Sequence, residues 1–203
     1  VGYHLLRPSR QHHHPFFHVN AYNLNQDKLY FISHRNGSPQ IMFADMQTEN
    51  LYQITEFIDL NEWSINPSLD GKYVYFTAGF NGWRVEVETG KEEKIIEFQA
   101  DGMKEKGMVA AAMGTTCLSN SGKWWGVTYK VAEKSRFMII DTENGEGKSI
   151  LEANSISHMQ FCPDDEEQIV EIEVDLTKIN VEMSDDHDAR IQLTDNIGVL
   201  MQY

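Results

Sequence analysis

Residues 66–78 read NPSLDGKYVYFTA, a polar turn followed by a run of apolar, aromatic and β-branched residues. The same arrangement occurs at residues 23–33 (NLNQDKLYFIS) and at residues 117–129 (CLSNSGKWWGVTY). Turns rich in Asp, Asn and Gly between short strand-forming runs are typical of antiparallel meanders. The three segments therefore predict three copies of one strand-rich unit.

The repeat has a period of about 45 residues. Lys28, Lys72 and Lys123 occupy the same place in the three segments, 44 and 51 residues apart, and Gln168 continues the series after another 45. Each copy is followed by a second strand-like run, a turn and a short apolar run. A four-stranded unit of this length is typical of a β-propeller blade. We predict an all-β chain of about four four-stranded antiparallel blades in an incomplete propeller; a single β-sandwich with similar hairpins is the alternative.

We expect a boundary near residue 168. Residues 1–168 carry the repeat, whereas residues 169–203 alternate apolar and acidic residues, as in VEIEVDL and INVEM. Such alternation is typical of half-exposed strands. The C-terminal segment is therefore expected to be either a divergent blade or a foreign, chimeric tail. Because an open propeller exposes strand edges, self-association is also expected.

The composition limits the classes of partner that the chain is expected to bind. The 203 residues include 31 acidic and 17 basic side chains, for a formal charge of −14. This charge opposes binding to a phosphate backbone, so no nucleic-acid partner is expected. No run of about 18 apolar residues is present, so no membrane partner is expected. The first ten residues lack the apolar stretch of a signal peptide, so the expected location is cytoplasmic or else undetermined.

Repeat register points to candidate site residues. The positions ten residues before the four anchors are His18, Glu62, Met113 and His158. In equivalent blades these positions start the innermost strands and face a shared axis, where propellers commonly bind ligands. Two imidazoles and a carboxylate are suited to metal binding or proton transfer.

The histidine run at residues 12–14 is a weaker metal candidate. Three consecutive side chains diverge in a strand, so they rarely bind one ion together. His14, alone or with His18, is the better candidate, and a histidine bonded to loop backbone is the alternative.

The sequence also resembles the N-terminal half of oligogalacturonate lyases of the pectate-lyase-22 type, which are seven-bladed β-propellers. The resemblance covers roughly residues 4–168 and rests on residues 12–55, NPSLDGKYVYF at residues 66–76 and ISHMQFCPDD at residues 156–165. Its most specific parts are His14 before the Phe16–Phe17 pair and the pattern formed by His158, Phe161, Pro163 and Asp165. Residues after about 168 do not match.

The resemblance implies β-elimination of acidic, uronate-containing oligosaccharides. A base removes the proton α to the uronate carboxylate, and the glycosidic oxygen leaves from the β carbon. In the family a histidine in the setting of His158 is this base, and a neutral imidazole suits the role. The carboxylate must be neutralised by a metal or by arginine.

Substrate and cofactor residues follow from that chemistry. The substrate-binding candidates are Arg35, Arg84, His14 and Glu62, although hairpin arginines are often simply solvated. The resemblance implies a divalent cation, Mn²⁺, with His18 as a candidate ligand here. The family's own ligands come from later blades, beyond the matched region. The chain alone is therefore expected to be inactive, or to be a non-catalytic propeller module that binds a sugar or a protein.

Tryptophans are a further candidate feature, because indole rings can stack on sugars. The chain has four of them, and at least one of the adjacent pair at positions 124 and 125 should belong to the core: Trp63, Trp83, Trp124 and Trp125.

Overall fold

A computed structural model describes residues 11–15, 19–98, 116–131, 134–154, 156, 158–163, 168–172, 179–183, 189–193 and 199–202. For Val131, for His158 and for the strands after Pro163, the backbone alone is described. Within these ranges no helix is long and apolar enough to cross a bilayer.

The first three sheets are four-stranded antiparallel meanders in which strand order follows chain order. The first contains β1 (His12–His13), β2 (Lys28–Ser33), β3 (Gln40–Asp45) and β4 (Leu51–Gln53). The second contains β5 (Asn66–Pro67), β6 (Tyr73–Ala78), β7 (Asn81–Glu86) and β8 (Glu92–Glu97). The third contains β9 (Thr116–Leu118), β10 (Trp124–Val131), β11 (Lys134–Asp141) and β12 (Gly147–Ala153). The predicted four-stranded antiparallel blades are confirmed.

Strands continue to the C-terminal end of the described chain. A three-stranded antiparallel sheet contains β13 (His158–Phe161), β14 (Gln168–Ile172) and β17 (Val199–Gln202). Between β14 and β17 the chain forms a hairpin of β15 (Ile179–Met183) and β16 (Ala189–Leu193). The alternating pattern after residue 168 thus coincides with strands.

A recurring turn explains why the three segments resemble each other. In each blade the side-chain oxygen of one turn residue accepts a hydrogen bond from the backbone N–H five positions later: Asn23 from Lys28, Ser68 from Tyr73 and Ser119 from Trp124. Gly71 and Gly122 adopt positive φ angles of 73° and 76° in the second and third of these turns. Only glycine adopts that conformation without a steric cost, so the polar residue and the glycine together fix the start of β6 and β10.

The core lies between neighbouring sheets. Each of three clusters joins one sheet to the next, through Tyr30, Ile32 and Phe76, then Tyr75, Phe98 and Trp125, then Phe137, Met159 and Phe161. All of these side chains are buried, so face-to-face stacking of the sheets holds the chain together.

Gly82 on β7 sets how closely the second and third sheets approach. A Cβ atom at this position would lie 2.6 Å from Cζ3 of Trp125 and 2.9 Å from Cγ2 of Ile96. Trp125 on β10 is fully buried. The absence of a side chain at Gly82 therefore makes the room that the indole occupies.

The first strands of the second, third and fourth sheets define two ends of the molecule. Pro67, Leu118 and Phe161, near the C-terminal ends of β5, β9 and β13, line one cavity of about 210 Å³. The opposite end contains the loop before β5. It also contains the β2–β3 hairpin, because β2 is antiparallel to the segment before it. We call this opposite end, which contains His34 and residues 61–64, the loop end.

Candidate functional site

Three ionisable side chains meet at the loop end: His13 on β1, His34 directly after β2, and Glu62 in the loop before β5. The Oε2 atom of Glu62 lies 3.2 Å from Nε2 of His13 and 2.7 Å from Nε2 of His34. The two imidazole centroids are 5.9 Å apart. Between 24% and 29% of each side chain is exposed, so the cluster is half-buried but open to solvent.

Local structure explains this meeting. β1 pairs with β2 in the register His13↔Ile32, which places His13 beside the end of β2. The backbone N–H of His34 donates to the carbonyl of Gln11 at 3.0 Å, tying the hairpin to the start of β1. The loop before β5 is a turn anchored by the backbone N–H of Asn61, which donates to the carbonyl of Thr77 at 2.9 Å. The cluster therefore joins the first two blades.

The hydrogen bonds of His13 constrain its protonation. Its Nδ1 lies 3.0 Å from the carbonyl oxygen of His14. A carbonyl can only accept, so Nδ1 must carry the hydrogen, and in a neutral ring Nε2 then presents a lone pair. That lone pair faces the Glu62 carboxylate, which is also an acceptor. Two acceptors 3.2 Å apart require a hydrogen or a bound cation between them.

The same arrangement is suited to a divalent cation. One donor atom from each of the three residues lies within 4.8 Å of the others. Donors about 2.1 Å from one ion lie at most about 4.2 Å apart, so a small shift would bring all three onto it. Histidines that bind metals commonly donate their other ring N–H to a backbone carbonyl, as His13 does to His14.

Trp63 borders the cluster. Its ring stacks on that of His13, with centroids 5.0 Å apart and an interplanar angle of 26°. Of its surface, 42% is exposed.

The candidate residues from the sequence are distributed between this end and other places. Glu62 lies in the cluster. Arg35 follows His34 in the same hairpin and is partly buried; its backbone N–H donates to Oγ of Ser33 at 3.2 Å. His14 is exposed beside the cluster, and its Nδ1 donates to the carbonyl of Pro15.

Arg84 lies between the second and third blades. Its guanidinium donates to Glu93 at 2.8 and 3.0 Å and to the carbonyl of Thr142 at 2.9 Å, and it stacks on the Tyr73 ring. These contacts do not include any residue of the cluster.

His18 lies outside the described residues. The backbone places His158 at the first position of β13. Because the C-terminal ends of the first strands meet at the far cavity, the start of β13 lies towards the loop end. The side chain of His158 is outside the described part of the structure.

His13 and His34 were not identified from the sequence. Of the histidine run, the argument from divergence favoured His14, whereas it is His13 that reaches Glu62. His34 lies among other polar residues after a strand, and nothing in its spacing distinguishes it from an ordinary hairpin residue. The one sequence signal was Glu62 itself, because the repeat register placed it at the start of an innermost strand, facing the shared axis.

No protein-family model and no curated protein matches this sequence. Solved structures do match. An oligogalacturonate lyase in complex with manganese superposes with a TM-score of 0.76 at 19% identity, covering 98% of this chain and 52% of that one. An oligogalacturonate lyase from Vibrio parahaemolyticus gives 0.72 at 17% identity, covering 92% and 54%. The β-propeller domain of the Trilobed protease from Pyrococcus furiosus, described as having an open velcro topology, gives 0.52 at 15% identity, covering 86% and 54%.

These likenesses show the fold. The chain consists of β-propeller blades, and the resemblance to oligogalacturonate lyases expected from the sequence is confirmed at the level of structure. The chain spans about half the length of the two lyases that it matches.

Proposed function

We propose that this chain is part of a propeller protein related to oligogalacturonate lyases, which binds a divalent cation, Mn²⁺, and cleaves acidic uronate oligosaccharides by β-elimination. The observation that carries the proposal is the His13–Glu62–His34 cluster at the loop end. The likeness to a lyase bound to manganese supports both the fold and the choice of ion.

The three side chains fit such an ion. Two imidazole nitrogens and one carboxylate oxygen are donors that first-row divalent metals accept. A cation between Nε2 of His13 and the carboxylate of Glu62 would also satisfy both acceptors. These ligands lie in the first two blades, and the site is therefore proposed on the residues of this chain and not on those of later blades.

The chemistry assigns a role to each group. A divalent cation held there supplies positive charge that neutralises the uronate carboxylate and so makes the α proton more acidic. His13, His34 and Glu62 would hold it. Arg35, in the same hairpin as His34, adds a second positive charge for the carboxylate. We assign His158 as the base that takes the α proton, because its strand starts towards the same end of the molecule.

The alternative is a non-catalytic propeller that binds acidic sugars. It predicts cation and sugar binding without product. The fact that the chain spans about half of each lyase favours this alternative for the chain by itself.

The test combines metal binding with product formation. Isothermal titration with Mn²⁺ should show one site, and Glu62→Gln should weaken it at least tenfold, equivalent to about 1.4 kcal/mol. Glu56→Gln is the matched control, because Glu56 is an exposed carboxylate six residues earlier and should leave binding unchanged. Equal Mn²⁺ affinity of wild type and Glu62→Gln would refute the site.

Product formation is followed by the ultraviolet band of the unsaturated uronate, with oligogalacturonate and Mn²⁺. Growth of the band that is lost in His158→Ala supports elimination with His158 as base. Mn²⁺ binding with no band, in folded protein, favours the binding module.

A further inference from the structure

The far cavity, at the end of the molecule opposite the loop end, is a second candidate site. Its volume is about 210 Å³, and residues of four successive segments line it: Asn20 before β2, Asn66 on β5, Leu118 on β9 and Phe161 on β13. This volume corresponds to roughly seven water molecules at about 30 Å³ each. The cavity therefore has room for one small ring with its substituents.

The side chain of Asn66 has a fixed orientation beside this cavity. Its amide faces the carbonyl oxygen of Ser64 at 3.0 Å, and because a carbonyl can only accept, the atom that faces it is the donor Nδ2. The same Nδ2 donates to Oγ1 of Thr116, whose own hydrogen goes to the Ser64 carbonyl at 2.9 Å. These bonds hold the amide plane and direct Oδ1 away from both partners.

Oδ1 of Asn66 is an acceptor that has no partner among the described residues, although the residue is only 3% exposed. The atom is not sealed from solvent, and since Asn66 lines the far cavity, it opens into that cavity. A nearly buried carbonyl oxygen gains free energy when a group donates a hydrogen to it. Its position therefore favours a ligand that carries a donor.

Two exposed asparagines at the rim of the cavity also have oriented amides. Oδ1 of Asn20 accepts from the backbone N–H of Tyr22 at 3.0 Å, which leaves Nδ2 as a donor for a ligand. Nδ2 of Asn120 donates to the carbonyl of Pro163 at 3.2 Å, which leaves Oδ1 as an acceptor. Together with Asn66, the cavity thus offers two acceptors and one donor at fixed places.

The lining of the cavity is uncharged. None of the described residues that line it is acidic or basic, and the polar ones carry amide or hydroxyl groups: Asn20, Asn66, Ser119, Asn120 and Gln160. Burial raises the pKa of the Cys117 thiol to about 12, so this group is also neutral near pH 7. A charged ligand would leave water here without an opposite charge to pair with, which is costly.

Hydroxyl groups match this set of donors and acceptors. A hydroxyl both donates and accepts, so a ring with several of them pairs with Oδ1 of Asn66 and with Nδ2 of Asn20 at once. A carboxylate or a phosphate only accepts, and it would face Oδ1 of Asn66 without a hydrogen between them. Pro67, Leu118 and Phe161 supply apolar walls for the C–H surface of such a ring.

We propose that the far cavity binds one neutral, polyhydroxylated ring of hexose size, with Oδ1 of Asn66 as the central acceptor and Asn20 and Asn120 at the rim. The proposal does not rest on the proposed function. The site lies at the opposite end from the cation cluster, and it selects against the carboxylate that a uronate carries.

The experiment titrates the ¹⁵N-labelled chain with D-glucose, D-galactose and D-mannose and follows the side-chain amide signals by nuclear magnetic resonance. At least one hexose should bind, with a millimolar dissociation constant because a hexose has only about twelve non-hydrogen atoms. The uronate and the 2-amino-2-deoxy derivative of that hexose should bind at least tenfold more weakly, since the cavity offers no opposite charge. N-acetylglycinamide, a neutral peptide analogue, should bind more weakly than the hexose.

Variants locate the binding. Asn20→Ala combined with Asn120→Ala should weaken hexose binding at least tenfold, because two hydrogen-bonding groups are lost from exposed positions where folding is not at risk. Asn50→Ala, at an exposed asparagine in the turn before β4, is the matched control and should leave binding unchanged. Asn66→Leu should abolish binding in folded protein; if it does not fold, the rim variants decide.

The outcomes separate this site from the cation cluster. Glu62→Gln should bind the hexose as the wild type does, whatever its affinity for Mn²⁺. Failure of all three hexoses to bind overturns the proposal, as does binding that is unchanged in the rim double variant. Loss of hexose binding in Glu62→Gln, or tighter binding of N-acetylglycinamide than of any hexose, overturns it as well.

Discussion

Replacing Gly82 by alanine should push apart the second and third blades. The new Cβ would lie 2.6 Å from Cζ3 of Trp125, at least about 0.8 Å shorter than an ordinary contact between carbon atoms. Trp125 cannot withdraw, because it is fully buried against Tyr75 and Ile140. Overpacking of this kind costs about 1–3 kcal/mol of stability.

A double-mutant cycle identifies the indole as the cause. Trp125→Phe removes the outer edge of the indole and costs less than the about 3–5 kcal/mol expected for truncation to alanine. In that background the Cβ of Gly82→Ala no longer meets Cζ3 of the indole, and only the contact with Cγ2 of Ile96 at 2.9 Å remains tight. The double variant should therefore be more stable than the sum of the single changes predicts, by about 1 kcal/mol or more.

Urea unfolding followed by circular dichroism gives the four free energies of unfolding that the cycle needs. Circular dichroism is preferable to fluorescence, because one variant removes a tryptophan. If Gly82→Ala costs the same in the presence and absence of the indole, the contact between the blades does not explain the glycine, and the reasoning fails.

Three further outcomes are expected. Arg84→Ala should lower the free energy of unfolding by about 1–3 kcal/mol, because the carbonyl of Thr142 loses a charged donor; Arg84→Lys should recover only part of it in the same urea assay. Thr116→Val, which keeps the shape, should cost about 1–3 kcal/mol, because the buried hydroxyl donates to the carbonyl of Ser64 at 2.9 Å; an unchanged unfolding midpoint would contradict this. Burial raises the pKa of the Cys117 thiol to about 12 from an ordinary value near 9, so above pH 9 the unfolded chain loses a proton that the folded chain keeps. Stability should then fall by up to about 1.4 kcal/mol per pH unit between pH 9 and 12, and the wild type should show this extra slope relative to Cys117→Ala.

The blades could be predicted from the sequence because the residues that determine each one are close together in the chain. In each copy, a polar residue accepts a hydrogen bond from the N–H five positions later, and a strand-forming run follows it. Both features lie within about a dozen residues of the chain. Alternation and turn chemistry then determine the meander without reference to distant parts of the chain.

The cluster could be predicted only in part, because its geometry depends on pairing between distant segments. Glu62 was found through the repeat register, but its partners come from 49 and 28 residues earlier. Which histidine of the run reaches it depends on the register of β1 against β2, and a shift by one residue would turn the ring to the opposite face. Two strand residues, His12 and His13, carry too little pattern to fix that register from the sequence.

Three hydrophobic clusters of the described residues each join one sheet to the next, and this arrangement bears on how the chain unfolds. A stack with contacts of this kind behaves as a linear array, whose cooperativity is set by the coupling at each junction. His13, His34 and Glu62 add a polar link at the first junction, and the bond from Arg84 to the carbonyl of Thr142 adds one at the second. Occupancy of that link by an ion would make the first two blades the slowest to exchange their amide hydrogens, so that melting proceeds from the C-terminal side towards them.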